Sequence, residues 1–254
     1  MFGLVHIPTE SLATGERTFI ERQPVDLTLA RQQHAAYTAA LTACGLEVQC
    51  LDVNSQFPDA VFIEDTAVVL DEVAICCWPG AASRQGEIAG IEPVLRQWRD
   101  VVRVEPPATL EGGDVLQVGR RLWVGLSCRT NRAGVEFVFR WGRRLGYQVT
   151  PVAVRGCLHL KTACTALSDG RLWVHRPWLD AGTLGVDESH LVDVPSEEPW
   201  GANVLAVGAH VLAAAQSVRS IEALDSLGYR VQGVDLSEFA KAEGGPTCLS
   251  LLIP

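Results

Sequence analysis

The sequence predicts an α/β fold of five pseudo-symmetric units arranged like a propeller, and three observations carry that expectation. A helix-like stretch recurs three times with one ending, paired apolar runs alternate with such stretches, and a polar residue recurs at near-equal intervals.

The shared ending is Cys44-Gly45-Leu46-Glu47-Val48, Leu145-Gly146-Tyr147-Gln148-Val149 and Leu227-Gly228-Tyr229-Arg230-Val231. Before the first, apolar residues fall at Leu27, Ala30, Tyr37, Leu41 and Cys44. Before the second they fall at Val135, Val138, Phe139 and Leu145, and before the third at Val218, Ile221, Leu224 and Leu227. That spacing puts them on one buried face of a helix, and the Gly beyond supplies a left-handed C-cap. A fourth helix, with Ile88, Ile91, Leu95 and Trp98, lacks the Gly. Each of the four feeds a β-branched run, at 48–53, 101–104, 149–154 and 229–234.

Between the helices lie hairpin-like pairs: 61–70 with 73–78, 115–118 with 122–126, 158–167 with 172–175, and 202–207 with 210–214. Their turns carry Asp71-Glu72, Gly119-Arg120, Asp169-Gly170 and Gly208-Ala209. A last strand, 248–253, has no partner after it, so the N-terminal strand at 4–7 is its expected neighbour and closes the ring. Glu64, Glu111, His159, Asn203 and Cys248 open the first strands at intervals of 47, 48, 44 and 45 residues. Such a ring is one catalytic domain over residues 1–254, with strand starts converging on an axis. The third unit is the weakest, because 180–195 shows no helix; a plain α/β sandwich is the alternative.

Composition limits function. The 254 residues are 48% hydrophobic and 20% charged, which excludes disorder and coiled coil. Thirty acids against 21 bases give a formal charge of −9. That field disfavours nucleic acid and anionic membrane, and suits a small cation. The longest apolar run, 204–215, is far short of the roughly 20 residues a membrane span needs. The N-terminus has neither a basic segment nor a long apolar one, so a cytoplasmic protein is expected. Eight Cys occur without a CxxC pair, which predicts mostly reduced, buried thiols rather than a disulfide frame or zinc site.

Carboxylate, imidazole and thiol recur at equivalent positions, so a closed ring could bring nucleophile, acid/base and orienting acid together. A lone Cys among eight is by default an inert thiol. Glu243-Gly244-Gly245-Pro246-Thr247-Cys248 changes that reading, since glycines before a strand let backbone approach a ligand. His159 and Lys161 are expected on one face of a strand. His6, His34, His175, His190 and His210 read as structural or surface residues, and Cys76, Cys77, Cys157 and Cys164 as core. Glu111-Gly112-Gly113-Asp114 and Glu64-Asp65 are turn acids or a carboxylate cage around a cation. With no His or Cys at ligand spacing beside them, no metal is expected.

Six phrases then carry a resemblance: 57–65, Pro79-Gly80-Ala81-Ala82-Ser83-Arg84, Leu110-Glu111-Gly112-Gly113-Asp114, Arg129-Thr130-Asn131, Leu158-His159-Leu160-Lys161 and Gly244-Gly245-Pro246-Thr247-Cys248. In this order the chain resembles the dimethylarginine dimethylaminohydrolases of the guanidine-modifying pentein superfamily, whose fold is a five-unit α/β propeller. The resemblance implies Cys248 as nucleophile, His159 as proton donor and acceptor, and Glu111 as the acid that orients the imidazole or contacts the guanidinium. It implies Glu64 and Asp65 on the guanidinium nitrogens, Asp59, Arg84 and Arg129 on the α-amino and α-carboxylate ends, and the Ala242 carbonyl as a further contact. The N-terminal loop of the family carries Leu after its Gly; here Glu16 follows Gly15, a charge where substrate is covered.

The implied reaction is hydrolysis of Nω-methylated arginine to citrulline and methylamine or dimethylamine, through a thiouronium on Cys248 and without a cofactor. The alternatives are another guanidine hydrolase or amidinotransferase of the same fold, or a non-catalytic pentein that binds an amino acid or a partner. Either a monomer or a homodimer is compatible with the sequence.

Overall fold

In the computed structural model, which describes residues Met1–Pro254, the chain forms fifteen strands and six α-helices. In chain order these are β1 (Phe2–His6), α1 (Leu27–Ala43), β2 (Glu47–Leu51), β3 (Ala67–Val69), β4 (Val73–Cys76), α2 (Ile88–Leu95) and β5 (Asp100–Arg103). There follow β6 (Val115–Val118), β7 (Arg121–Leu126), α3 (Arg132–Arg144), β8 (Gln148–Ala153), α4 (Leu160–Ala163), β9 (Cys164–Ala166), β10 (Leu172–Val174) and β11 (Leu191–Asp193). The chain ends with β12 (Leu205–Val207), β13 (His210–Ala214), α5 (Val218–Ser226), β14 (Arg230–Val234), α6 (Ser237–Ala240) and β15 (Leu251–Ile253).

The strands make five three-stranded sheets of one pattern, in which the middle strand pairs antiparallel with one neighbour and parallel with the other. In four sheets a hairpin loop dictates the antiparallel pair, and in all but that of β10 and β11 a helix crossover dictates the parallel one. One sheet joins both ends of the chain: β1 takes β15 antiparallel, with Gly3 opposite Leu252, and β2 parallel. Asp26 caps α1 by accepting from the Leu29 amide, and Asn131 caps α3 by accepting from Gly134. Gly45, Gly146 and Gly228 have φ of 91°, 81° and 90°, the left-handed exits their position predicts.

Five apolar clusters each bridge two sheets. Leu4, Ile63 and Leu251 belong to one between the β1 and β4 sheets; Leu122 and Ile75 to one between the β4 and β7 sheets. Trp123 with Val174, and Trp173 with Val211, carry the next two, and Tyr37, Leu41, Leu212 and Phe239 join the β13 sheet to the β1 sheet. A cavity of about 220 Å³ is lined by residues of β3, β6, β9, β12 and β15.

The structure corrects several expectations. Phe139, Val218 and Leu227 are exposed, because α3 and α5 bury narrower faces than the apolar spacing suggests. Trp98 lies beyond α2 and stacks on Phe2, 4.1 Å between ring centroids. Residues 180–195 hold two short 3-10 turns and β11, the helix-poor stretch expected. Cys50 and Cys128 are exposed thiols, while all eight Cys are free. The polar series does not lie in the first strands: Glu64 sits in a 3-10 turn, Glu111 and His159 precede short helical turns, Asn203 follows one, and Cys248 precedes β15. His159 and Lys161 therefore do not share a strand face. Leu160 and Ala163 are buried from a helical turn, and their apolarity mimics a strand in the sequence.

Tyr37 ties this framework to the C-terminal loop. Its buried hydroxyl donates to the Pro246 carbonyl at 2.7 Å and lies 2.8 Å from the Ser250 hydroxyl. Tyr37→Phe would leave a buried acceptor unpaired, so an equilibrium urea titration is expected to show a loss of about 1–2 kcal/mol.

Candidate active site

Asp65, Glu111, His159 and Cys248 converge from the turns before β3, β6, β9 and β15, and Arg84 and Arg129 join them from the turns after β4 and β7. All but Glu111 line a cavity of about 20 Å³, together with Asp59, Phe62, Leu158, Ala242, Glu243, Gly244 and Glu16. The two glycines after Glu111 make the convergence possible. A Cβ on Gly112 would stand 2.0 Å from the Glu64 carbonyl oxygen, and one on Gly113 would stand 2.8 Å from His159 Nδ1. No side chain fits at either position.

Glu111 Oε2 lies 2.6 Å from His159 Nε2, and both residues are buried. Burial opposes charge on Glu111, but the hydrogen bond and charge of His159, with Arg84 and Arg129 behind it, outweigh burial and hold the carboxyl at about 2. Burial likewise opposes an imidazolium; Asp65, Asp114 and Glu111 overcome it and lift His159 to about 9. The resting pair at neutral pH is carboxylate and imidazolium. The other ring nitrogen, Nδ1, is 3.8 Å from Asp65 Oδ1.

Cys248 Sγ is approached by the Gly245 amide at 3.4 Å and by Asn203 Nδ2 at 3.8 Å. Burial pushes the thiol up, Glu64 and Asp65 push it further, and these donors do not compensate, so it stands at about 12. The resting sulfur is a thiol.

The remaining acids and bases are tightly engaged. Asp65 accepts from the Gly113 amide at 3.0 Å and from Arg84 Nη1 at 2.6 Å. Arg84 is buried and also bonds Glu87 and the Asp59 and Phe62 carbonyls. Glu64 does not line the small cavity: its oxygens meet Lys161 Nζ and the Thr247 hydroxyl, both at 2.8 Å, and it borders the 220 Å³ cavity instead. Arg129 reaches Glu111 at 3.5 Å and the Thr18 hydroxyl at 3.2 Å. Asp59 accepts from the Glu16 amide at 3.0 Å, and the Glu16 carboxylate bonds the Ser83 hydroxyl at the rim. One ligand atom each from Asp65, Glu111 and His159 lie within 4.8 Å of one another, but these atoms already serve each other, Arg84 and Gly113.

Sequence reasoning missed the groups that brace this pair. Asp114 accepts from the Leu160 amide at 2.9 Å and from the Ser127 hydroxyl at 2.6 Å, and Ser127 accepts from the Arg129 and Thr130 amides. Thr130 in turn accepts from the Glu111 amide at 3.1 Å. One network therefore holds the backbone of Glu111 and the residue after His159. Glu87 was legible as the residue three after Arg84 on a 3-10 turn, where such pairs eclipse. Asp114 was visible only as the end of a turn motif.

The ion pair fixes a pH dependence. Because His159 is raised, its stabilisation is full below about 6.5 and is lost as pH rises through about 9. Because Glu111 is lowered, its stabilisation is full above 4.5 and is lost as pH falls through about 2. The urea midpoint is therefore expected to fall between pH 6.5 and 9, with a smaller fall in Glu111→Gln. In that variant the His159 titration followed by NMR should drop by more than one unit.

No family model matches the chain. Curated relatives do. A dimethylarginine dimethylaminohydrolase of Streptomyces coelicolor is 42% identical over 98% of this chain and 95% of its own length, and that of Pseudomonas aeruginosa is 33% identical over 98% and 97%. A solved dimethylarginine dimethylaminohydrolase, an adduct with S-methyl-L-thiocitrulline, superposes with a TM-score of 0.92 at 32% identity over 99% of both chains. A Cys-to-Ser variant of the Pseudomonas aeruginosa protein, complexed with citrulline, gives 0.90 at 33% identity over 98% of both. With the thiol and the imidazolium lining one acid-rich cavity and the Glu111 carboxylate bonded to that imidazolium, this likeness over almost the whole length places the chain in the dimethylarginine dimethylaminohydrolase family.

Proposed function

We propose that the chain hydrolyses Nω-methylated arginine to citrulline and methylamine or dimethylamine, with Cys248, His159 and Glu111 as its catalytic groups. The five sheets, bridged pairwise by five apolar clusters and joined by β1 and β15, support a closed propeller acting as one catalytic domain. The observation that carries the reading is a high-lying thiol beside a buried imidazolium, in a cavity with more acids than bases.

Such a site lacks a cation, and a guanidinium supplies it. Entry of that charge beside Asp65 lowers the Cys248 thiol, whose proton is lost to solvent. The thiolate attacks the central carbon and forms the C–S bond. The imidazolium of His159 gives its proton to the dimethylamino nitrogen, the C–N bond breaks, and the neutral amine leaves. Neutral His159 then takes a proton from water, the resulting hydroxide attacks the thiouronium, and the C–S bond breaks to release the ureido product. Glu111 keeps the ring oriented and charged at Nε2, which leaves Nδ1 to face substrate. Asp59, Arg84 and Arg129 serve the amino-acid end, the Ala242 carbonyl and Asp65 serve the guanidinium, and Glu64 acts through the charge it places near Cys248. Glu16 covers the amino-acid end with its amide bonded to Asp59.

Purified protein incubated with asymmetric dimethylarginine, monomethylarginine and arginine is expected to form citrulline from the methylated substrates, and Cys248→Ser to form none while still binding them. Citrulline from arginine alone would replace the substrate assignment by that of an arginine hydrolase; no product from any would leave a binder. Iodoacetamide labelling of Cys248 in the free protein is expected to keep accelerating above pH 9, since the thiol lies at about 12. A plateau below pH 8 would contradict a substrate-assisted thiolate.

A further inference from the structure

The cavity over Cys248 has room for about one water, whereas an arginine derivative needs on the order of ten times that volume. The segment that covers it, residues 9–22, carries only the 3-10 turn Leu12–Thr14. Substrate therefore enters only when this lid lifts, and the contacts that hold it down set access.

These contacts fall into two groups. The Glu16 amide on Asp59 and the Thr18 hydroxyl on Arg129 use groups that the proposed function gives to the substrate, so an arriving amino acid competes for them. The Glu243 carboxylate is different. Oε2 accepts from the Thr18 amide at 2.7 Å and Oε1 from the Phe19 amide at 2.6 Å, so both oxygens clamp consecutive lid amides. Next to it, Arg17 Nε donates to the Lys241 carbonyl at 2.8 Å. Glu243 is also the one non-glycine residue with positive φ, at 61°, a conformation that strains an L-residue. It is buried, between Ala242, which lines the cavity, and Gly244, where a Cβ would stand 2.3 Å from the Phe62 ring. The backbone adopts the strained turn where it aims one carboxylate at two otherwise exposed lid amides.

We propose that Glu243 is a positioning residue that latches the lid: it holds residues 18 and 19 down and sets the fraction of molecules open to substrate. The proposal rests on the function above for its kinetic consequence but not for its structural one. Removing a carboxylate that accepts two amide bonds should raise the open fraction at least tenfold.

Two variants test it. Glu243→Gly removes the carboxylate and relieves the backbone, so its fold is not put at risk; Glu243→Gln keeps the shape but turns one oxygen into a donor facing an amide. Limited trypsin cleavage after Arg17 and Arg22, followed by mass spectrometry in the absence of substrate, reads lid opening directly. Cleavage is expected to be about tenfold faster in Glu243→Gly and intermediate in Glu243→Gln, with thermal unfolding midpoints within a few degrees of the parent. With dimethylarginine, KM should fall up to about tenfold, because a larger fraction of free molecules admits substrate, while kcat changes less than threefold, a split that general destabilisation does not produce. Cleavage no faster than the parent in both variants would overturn the latch. That readout stands even if the parent proves inactive on dimethylarginine, so the latch and the assigned substrate fail separately.

Discussion

Burial makes the Cys248 thiol a poor acid, and Glu64 and Asp65 beside it make it poorer. The rest of the site answers that electrostatic problem. Asp59, Glu64, Asp65, Glu87, Glu111, Asp114 and Glu243 are buried around the cavity, against Arg84, Arg129, Lys161 and the imidazolium of His159. Fixed cations neutralise part of this charge and leave a deficit facing the sulfur. In the proposed reaction a mobile cation that fills the deficit also creates the nucleophile, so binding and activation become one event.

The arrangement opposes stability. Buried ion pairs recover their desolvation cost poorly, and a left-handed Glu243 adds strain. Five apolar clusters between sheets offset that cost, and one of them, through Phe62 and Ala242, also walls the cavity beside Cys248. The division of labour follows the chain: strands and helices bury Leu, Val and Ile, and the turns before β3, β6, β9 and β15 and after β4 and β7 carry the charge. Those turns can hold charge because their backbone amides, such as those of Gly113, Leu160 and Gly245, are not consumed by sheet pairing and point at side chains instead.

Access is governed separately from chemistry. The lid bonds Asp59 and Arg129, which the proposed function gives to the amino-acid end of the substrate, and Glu243, which it does not. Glu16 belongs to this layer. Its carboxylate meets Ser83 at the rim while its amide meets Asp59, which separates its influence on closure from the reaction at Cys248.

The linear sequence determined the repeat, the helices with their glycine exits, the β1–β15 partnership and the choice of Cys248, His159 and Glu111 as candidates for one site. Such features are periodic or confined to short phrases, and local backbone preference expresses them directly. Tertiary structure decided that the polar series sits in turns rather than strands, because apolar residues of a helical turn and of a strand look alike over four positions. It decided that Glu64 faces Lys161 and Thr247 instead of the small cavity. It also decided that Asp114, Ser127 and Thr130 brace the Glu111–His159 pair, and that Glu243 reaches a lid more than 220 residues away in sequence. Contacts at such separations, and the pKa values they set, arise from which charges burial brings together, and no local spacing encodes that.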